Sequence, residues 1–270
     1  MKQLLSFEYR KLIRSKALYI CAIVMVCLNI IGVVITKASM DFINSSFSGM
    51  SDTDLQMFGA MDYSGLKYLL SACNGSNMLI FFAIFVTIFV CSDFTEGTIK
   101  NIVSRGYSRE KIFFAKSIVI GTGSVLFSML SMLTGFVAGS IAFGVGKDFG
   151  GTTVLTILIQ LLAMIAYTMM NVLLAVLFGK LGGALTLGII IPLIYPIIIQ
   201  LLDLLVVFMS DKSSEVTQDF FSRFTVGTNM TKISVIGADG KDLLFAAVIF
   251  FVYIMLFTLL GLLAIRKKEV

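Results

Sequence analysis

The sequence predicts an all-α, polytopic membrane protein. Six transmembrane helices follow an N-terminal interfacial helix, and residues 1–270 form a single transmembrane domain. Three observations carry this reading. Mean hydropathy is +0.98 and 58% of residues are hydrophobic, against about 45–50% in soluble domains. Several apolar runs reach the roughly 20 residues that a helix needs to cross a hydrocarbon core. No polar segment is long enough to make a separate soluble domain.

The first element, residues 2–16, reads KQLLSFEYRKLIRSK. On a helical wheel Leu4, Leu5, Tyr9, Leu12 and Ile13 cluster on one side, with Arg10, Lys11 and Arg14 opposite. That pattern suits a helix lying on the membrane with its cations toward anionic headgroups. Span one follows over 17–35. It is too long for a signal-peptide core, and no small-residue cleavage site follows it. Residues 37–68 are rich in Ser, Asp and Gly and are expected as an exterior loop, with a short helix near 52–58.

Span two is expected over 77–91, or from Leu69 if Asn74-Gly75-Ser76 does not break it. Span three, 112–143, exceeds the hydrocarbon thickness, so tilt or an extension beyond the membrane is expected. Its Gly135-x-x-x-Gly139 suits close interior packing of helices. A Gly-rich turn leads to span four at 153–178, and a minimal turn around Lys180 leads to span five at 184–208. Pro192 and Pro196 lie inside span five and should bend it, because each removes a ladder hydrogen bond.

Residues 209–242 form an extracellular segment with an aromatic group, Phe220, Phe221 and Phe224. Ser213 is placed to cap a short helix there. The segment reads either as a lid whose Phe220 and Phe224 seal an outer mouth, or as an interfacial anchor. Span six is 243–265, before a basic tail.

The most informative polar stretch is 92–116, SDFTEGTIKNIVSRGYSREKIFFAK. Asp93-x-x-Glu96 reads as a capping box. Ile99, Ile102 and Val103 then fall at i, i+3 and i+4, making one apolar face. Gly106 stands where a left-handed C-terminal cap is wanted. Ser108 is placed to cap the next helix, with Glu110 in its first turn. A short amphipathic helix in such a loop is suited to docking a soluble partner.

Charge sets the orientation. The N-terminus, the 92–116 loop, Lys180 and the C-terminus hold five, five, one and three of the 21 Lys and Arg. Cytoplasmic loops carry the excess of Lys and Arg. Both termini are therefore expected in the cytoplasm of a plasma (inner) membrane protein.

Several chemistries lack support. There is no histidine, and the four cysteines, at 21, 27, 73 and 91, include no CxxC. Disulfide frameworks, zinc sites and His-based catalysis are unsupported. No G-x-x-x-x-G-K-[ST] run exists to cradle nucleotide phosphates. Asp203 is the one acidic residue expected within a span, either an intramembrane carboxylate or an interfacial one. No catalytic, cofactor or metal residue is expected in the chain, and nothing points to nucleic acid.

The N-terminal FEYRKLIRSK and the central FTEGTIKNIVSRGYSREKIFFAK resemble permease subunits of ABC-2 type (type V) transporters, bacterial exporter membrane subunits of the small six-span kind. The most specific part is Glu96-Gly97-Thr98-Ile99-Lys100-Asn101 followed by Ser108-Arg109-x-Lys111. The resemblance implies that 92–111 is a cytoplasmic coupling loop docking on a separate ABC ATPase. Glu96, Gly97, Thr98, Lys100, Asn101 and Arg109 would take that role, with Glu8, Lys11 and Arg14 on the adjoining interfacial helix. It further implies two ATPase chains carrying ATP and Mg, and a second permease chain, with a homodimer the simpler case. It also implies a re-entrant hairpin within 201–242. Export of amphipathic, antimicrobial or toxic peptides or other hydrophobic compounds is the implied activity. Export of lipids or drugs, or an ATPase-independent carrier or channel, are the alternatives.

Overall fold

The structure is a computed structural model that describes residues 1–46, 63–74, 76–146, 149–209 and 220–267. Among these there are ten α-helices, a 3-10 turn and no strand. In chain order the helices are α1 (Lys2–Arg14), α2 (Lys16–Ser46), α3 (Gly65–Ser71), α4 (Ser76–Thr95), α5 (Thr98–Ser104), α6 (Arg109–Phe143), α7 (Gly151–Phe178), α8 (Leu181–Met209), α9 (Val226–Ile233) and α10 (Gly240–Lys267). The 3-10 turn, Ser222–Phe224, precedes α9. Helices α2, α4, α6, α7, α8 and α10 are long and apolar enough to cross a membrane.

All six expected spans are present as helices, and most are longer than hydropathy alone indicates. The largest difference is α2, which continues to Ser46 where a loop from residue 37 was expected. Hydropathy ends at the membrane surface, but a helix ends only at a cap or breaker, and 37–46 contains neither Gly nor Pro. At its other end, the expected 37–68 loop gives way to α3, which Ser64 caps by accepting from the Lys67 amide. The helix expected near 52–58 and the cap expected at Ser213 lie outside the described residues.

Helices α7 and α4 form the centre. Of their membrane-crossing windows, 72% and 56% are buried within the chain, against 17% for α2 and 6% for α8. Phe82, Phe85 and Phe127 interlock at ring-centroid distances of 5.5–6.1 Å, filling the space between α4 and α6. Helix α10 lies along α7, while α2 and α8 both flank α4.

Small residues let helices approach. The expected G-x-x-x-G on α6 receives α3: a Cβ on Gly135 would stand 3.0 Å from the Tyr68 carbonyl, and one on Gly139 would stand 2.7 Å from the Tyr68 ring. Tyr68 also stacks on Phe143 with centroids 5.8 Å apart. This is interior packing within one chain, as the sequence indicated.

Helix α8 runs unbroken through Pro192 and Pro196. Pro192 has no N–H, so the Gly188 carbonyl one turn back loses its helical donor. The Tyr167 hydroxyl of α7 donates to that oxygen at 3.5 Å. Supplying the lost bond from a neighbouring helix is how a proline is tolerated in a spanning segment.

Candidate functional site

One end of the bundle collects α1, the C-terminus of α4, all of α5, the N-terminus of α6, the α7–α8 turn and the end of α10. This is the basic end. Its geometry begins with α1, whose buried stripe is Leu4, Glu8 and Leu12, at i, i+4 and i+8. A carboxylate therefore sits in the middle of an otherwise apolar face. Ile13, expected on that face, is exposed.

Glu8 and Asp93 are 0% and 1% exposed, and Lys116 is 4% exposed. Burying a charge alone is prohibitive, so such groups must be paired. Lys116 Nζ lies 3.3 Å and 3.4 Å from the two carboxylate oxygens of Glu8 and donates to Asp93 Oδ2. Lys11 Nζ donates to Asp93 Oδ1 and to Ser92 Oγ at 3.2 Å. Both ammonium groups also stand over the Phe89 ring, at 5.0 Å and 5.3 Å from its centroid. Two acids and two bases thus close a cluster of zero net charge that ties α1, α4 and α6 together.

Asp93 is corrected by this geometry. It lies in the last turn of α4, and no side chain caps α5. The capping box expected from Asp93-x-x-Glu96 is absent. Gly97 is instead the N-cap residue of α5, with φ +67°, and a left-handed backbone favours glycine. A Cβ there would meet nothing within 4 Å, so conformation within the chain, not crowding, explains the glycine.

The rest of the loop matches its sequence pattern. Gly106 has φ +86° just after α5. Ser108 Oγ accepts from the Lys111 amide, and Glu110 sits in the first turn of α6. The apolar side of α5, Ile102 and Val103, packs with Tyr107 against Leu4, Ile112 and Ala115, and Ile99 is buried. Tyr107 Oη donates to Gln3 Oε1 at 3.3 Å. Glu96, Lys100, Asn101, Ser104 and Arg105 form the exposed side, while Thr98 and Arg109 are half-buried. Arg266 Nη2 reaches Glu110 Oε1 at 2.7 Å, bringing the C-terminal helix to the same place.

The structure therefore divides the expected coupling residues. Glu96, Lys100, Asn101 and Arg14 are exposed, whereas Glu8 is internal and Lys11 is half-buried and committed to Asp93 and Ser92. Glu8 has no surface from which to touch a partner. Sequence reasoning missed Lys116, which was placed only as a charge of the loop. Its signal was a lysine set among the apolar residues of IFFAKSIVI.

At the opposite, distal end, a cleft of about 740 Å³ opens between α8, α4 and the segment before α10. Tyr195, Ile199 and Asp203 present one stripe of α8 to it, and Thr228 and Thr231 face them from α9. Asp203 is 5% exposed and accepts from the amides of Phe221 at 2.6 Å and Ser222 at 3.0 Å. It fixes the 3-10 turn to α8. Helix α9 then enters the core through Met230 and Ile233, and Gln160 Nε2 of α7 donates to Ser234 Oγ at 3.0 Å and to the Leu70 carbonyl at 2.7 Å.

Phe220, Phe221 and Phe224 are exposed. Phe220 and Phe221 pack edge to face at 5.1 Å, and Phe224 leans on Phe245 of α10 at 6.2 Å. Ser222 and Thr225 line the cleft, and the three rings do not.

Among the described residues no group of three or more His, Cys, Asp or Glu is placed to hold a metal. Six apolar helices long enough to cross a membrane, with a short polar-faced helix packed at one end, define a multi-pass all-α membrane protein. The family profile described as ABC-2 family transporter protein matches residues 4–200. The chain belongs to that family and is a transport membrane subunit, and the family implies an ABC ATPase partner. Among curated proteins no sequence matches the chain.

Proposed function

We propose that this chain is the permease of an ATP-driven exporter and that α5 is its coupling helix, docking on a separate ATPase that carries ATP and Mg. The observation that supports this best is the family match together with the geometry of α5. Its apolar side is seated on α1 and α6, and its polar side is left exposed (Glu96, Lys100, Asn101). A push on that surface reaches α4, α6 and α1 together through the Glu8–Lys116–Asp93–Lys11 cluster. Glu8 and Lys11 then act by transmission, and Arg14 and the exposed α5 residues by contact.

The proposed complex has two permease chains and two ATPases. A homodimer about a two-fold axis is the simplest closed form, and the poorly buried face of α8, with α2 nearby, is the surface it would use. Lys and Arg asymmetry puts the basic end in the cytoplasm of the plasma membrane. The cargo class is amphipathic or toxic peptides and other hydrophobic compounds, for which the distal cleft offers both hydroxyl and apolar walls. The Phe220–Phe224 rings serve as an interfacial anchor.

Two experiments test the reading. Co-purification in mild detergent should return the chain with an ATPase whose turnover peptides or lipids stimulate; a lone monomer overturns the proposal. In a Cys-free background, Ser46→Cys should react with an impermeant reagent in intact cells and Ser104→Cys should not. Labelling at 104 reverses the orientation.

A further inference from the structure

A groove of about 660 Å³ runs along the bundle surface between α2 and α6. Its walls are exposed apolar side chains of these two helices, among them Ile30, Val34, Leu133 and Val137. At its distal lip the same lining includes Lys37 and Asp41, one helical turn apart on α2 and both exposed. Among the described residues neither takes part in an ion pair.

The position of this lip along the helix is informative. At 1.5 Å per residue, Lys37 stands about 30 Å from Ala17, which is the thickness of the hydrocarbon core. The pair thus falls at the distal interface, at headgroup depth. From Ile30 to Lys37 the apolar part of the groove extends about 10 Å of the roughly 15 Å that one leaflet contributes, and Asp41 stands about 6 Å further out. The groove thus has room for the outer part of one acyl chain and ends in a cation and an anion.

We propose that the groove between α2 and α6 holds one phosphatidylethanolamine of the distal leaflet, with an acyl chain along Ile30–Val137, the phosphate on Lys37 and the ammonium on Asp41. An ethanolamine headgroup carries its cation one short linker from its phosphate, so both charges are met on one turn of helix. A choline headgroup has no N–H to donate to Asp41, and a glycerol headgroup leaves Asp41 facing an anion. The lysine stem lies along the groove while its ammonium stays at the interface. The site does not depend on what the protein transports.

The test uses the full chain in detergent with added dioleoyl phosphatidylethanolamine, phosphatidylcholine or phosphatidylglycerol, read by native mass spectrometry. One ethanolamine lipid should remain bound under activation that strips the other two, a preference of about tenfold, equivalent to about 1.4 kcal/mol. Lys37→Ala should lower retention of all three lipids. Asp41→Asn should abolish the preference for ethanolamine over glycerol while leaving one lipid bound. Val137→Trp, at an exposed position, should fill the groove and release the lipid.

Retention that is indifferent to headgroup and to both charge variants would mean ordinary solvating lipid and would overturn the proposal. Conversion of a dimer to a monomer by Val137→Trp, with lipid unchanged, would assign the groove to a second copy of the chain and would equally overturn it.

Discussion

Lys116→Met should be the most damaging single change at the basic end, and the structure says why. Lys116 is the cation at Glu8, whose side chain is fully buried, and it also donates to Asp93. Asp93 retains Lys11 when Lys116 is lost, but among the described residues Glu8 has no other ion-pair partner. Removing one partner of a buried pair costs about 3–5 kcal/mol, because an uncompensated charge remains. Glu8→Gln leaves Lys116 paired with Asp93 and removes only a charge-assisted contact, about 1.5–3 kcal/mol. The double variant should be less damaged than the sum of the singles, with a coupling of about 1–3 kcal/mol.

The chain has no tryptophan, so unfolding is best followed in detergent with a thiol-reactive fluorogenic dye. Cys21, Cys73 and Cys91 are buried and react on unfolding, in a background where the exposed Cys27 is replaced by serine. At about 2–4 °C per kcal/mol, Lys116→Met should lower the midpoint by roughly 6–20 °C, and Glu8→Gln by clearly less. Equal, small and additive shifts would refute the reading of this cluster as a closed network.

Three further outcomes follow from individual residues. Gly97→Val forces a β-branched residue to φ +67° at a cost of about 1–2 kcal/mol, whereas Glu96→Ala, at an exposed carboxylate that caps nothing, should change stability by less than about 0.5 kcal/mol. Loss of transport-coupled ATP turnover in Glu96→Ala with an unchanged midpoint would therefore report a partner contact, and a lowered midpoint would show that Glu96 supports the fold. Asp203→Ala removes the acceptor of two amides at the 3-10 turn, so tryptic cleavage after Arg223 should accelerate about tenfold per 1.4 kcal/mol of local stability lost; unchanged cleavage would show that the carboxylate does not hold the turn. Burial pushes the Cys73 thiol from its ordinary 9.0 up to about 12; the stability it contributes is complete below 9 and declines as pH rises toward 12, and maleimide should leave it unmodified at pH 8 until the chain unfolds.

Local patterns were legible in the sequence where local physics decides them. Apolar length located the six spans, the 3.6-residue period located the buried side of α5, and Ser108 and Gly106 marked its neighbours' boundaries. What was not legible depends on residues far apart in the chain. Asp93-x-x-Glu96 is a valid capping pattern, but Asp93 is claimed by Lys11 and Lys116, 82 and 23 residues away. Two ion pairs formed in the bundle outweigh one cap worth about 1 kcal/mol. Glu8 likewise interrupts an apolar stripe that a wheel alone assigns to membrane lipid. The end of α2 was missed because hydropathy marks where the membrane ends and says nothing of where hydrogen bonding ends. The distal turn at Asp203 was hidden because its partners are backbone amides, which leave no mark in a sequence.

The contact surface of α5 is the point on which the functional reading turns. A photo-crosslinking residue placed at the exposed Asn101, with an identical one at exposed Val235 on the distal end as control, tests it directly in native membranes. Adducts from position 101 that contain a protein with a G-x-x-x-x-G-K-[ST] phosphate loop, and that are absent from position 235, are the predicted result. No such adduct at 101, in membranes where the chain is folded and inserted, or an equal yield at 235, contradicts it.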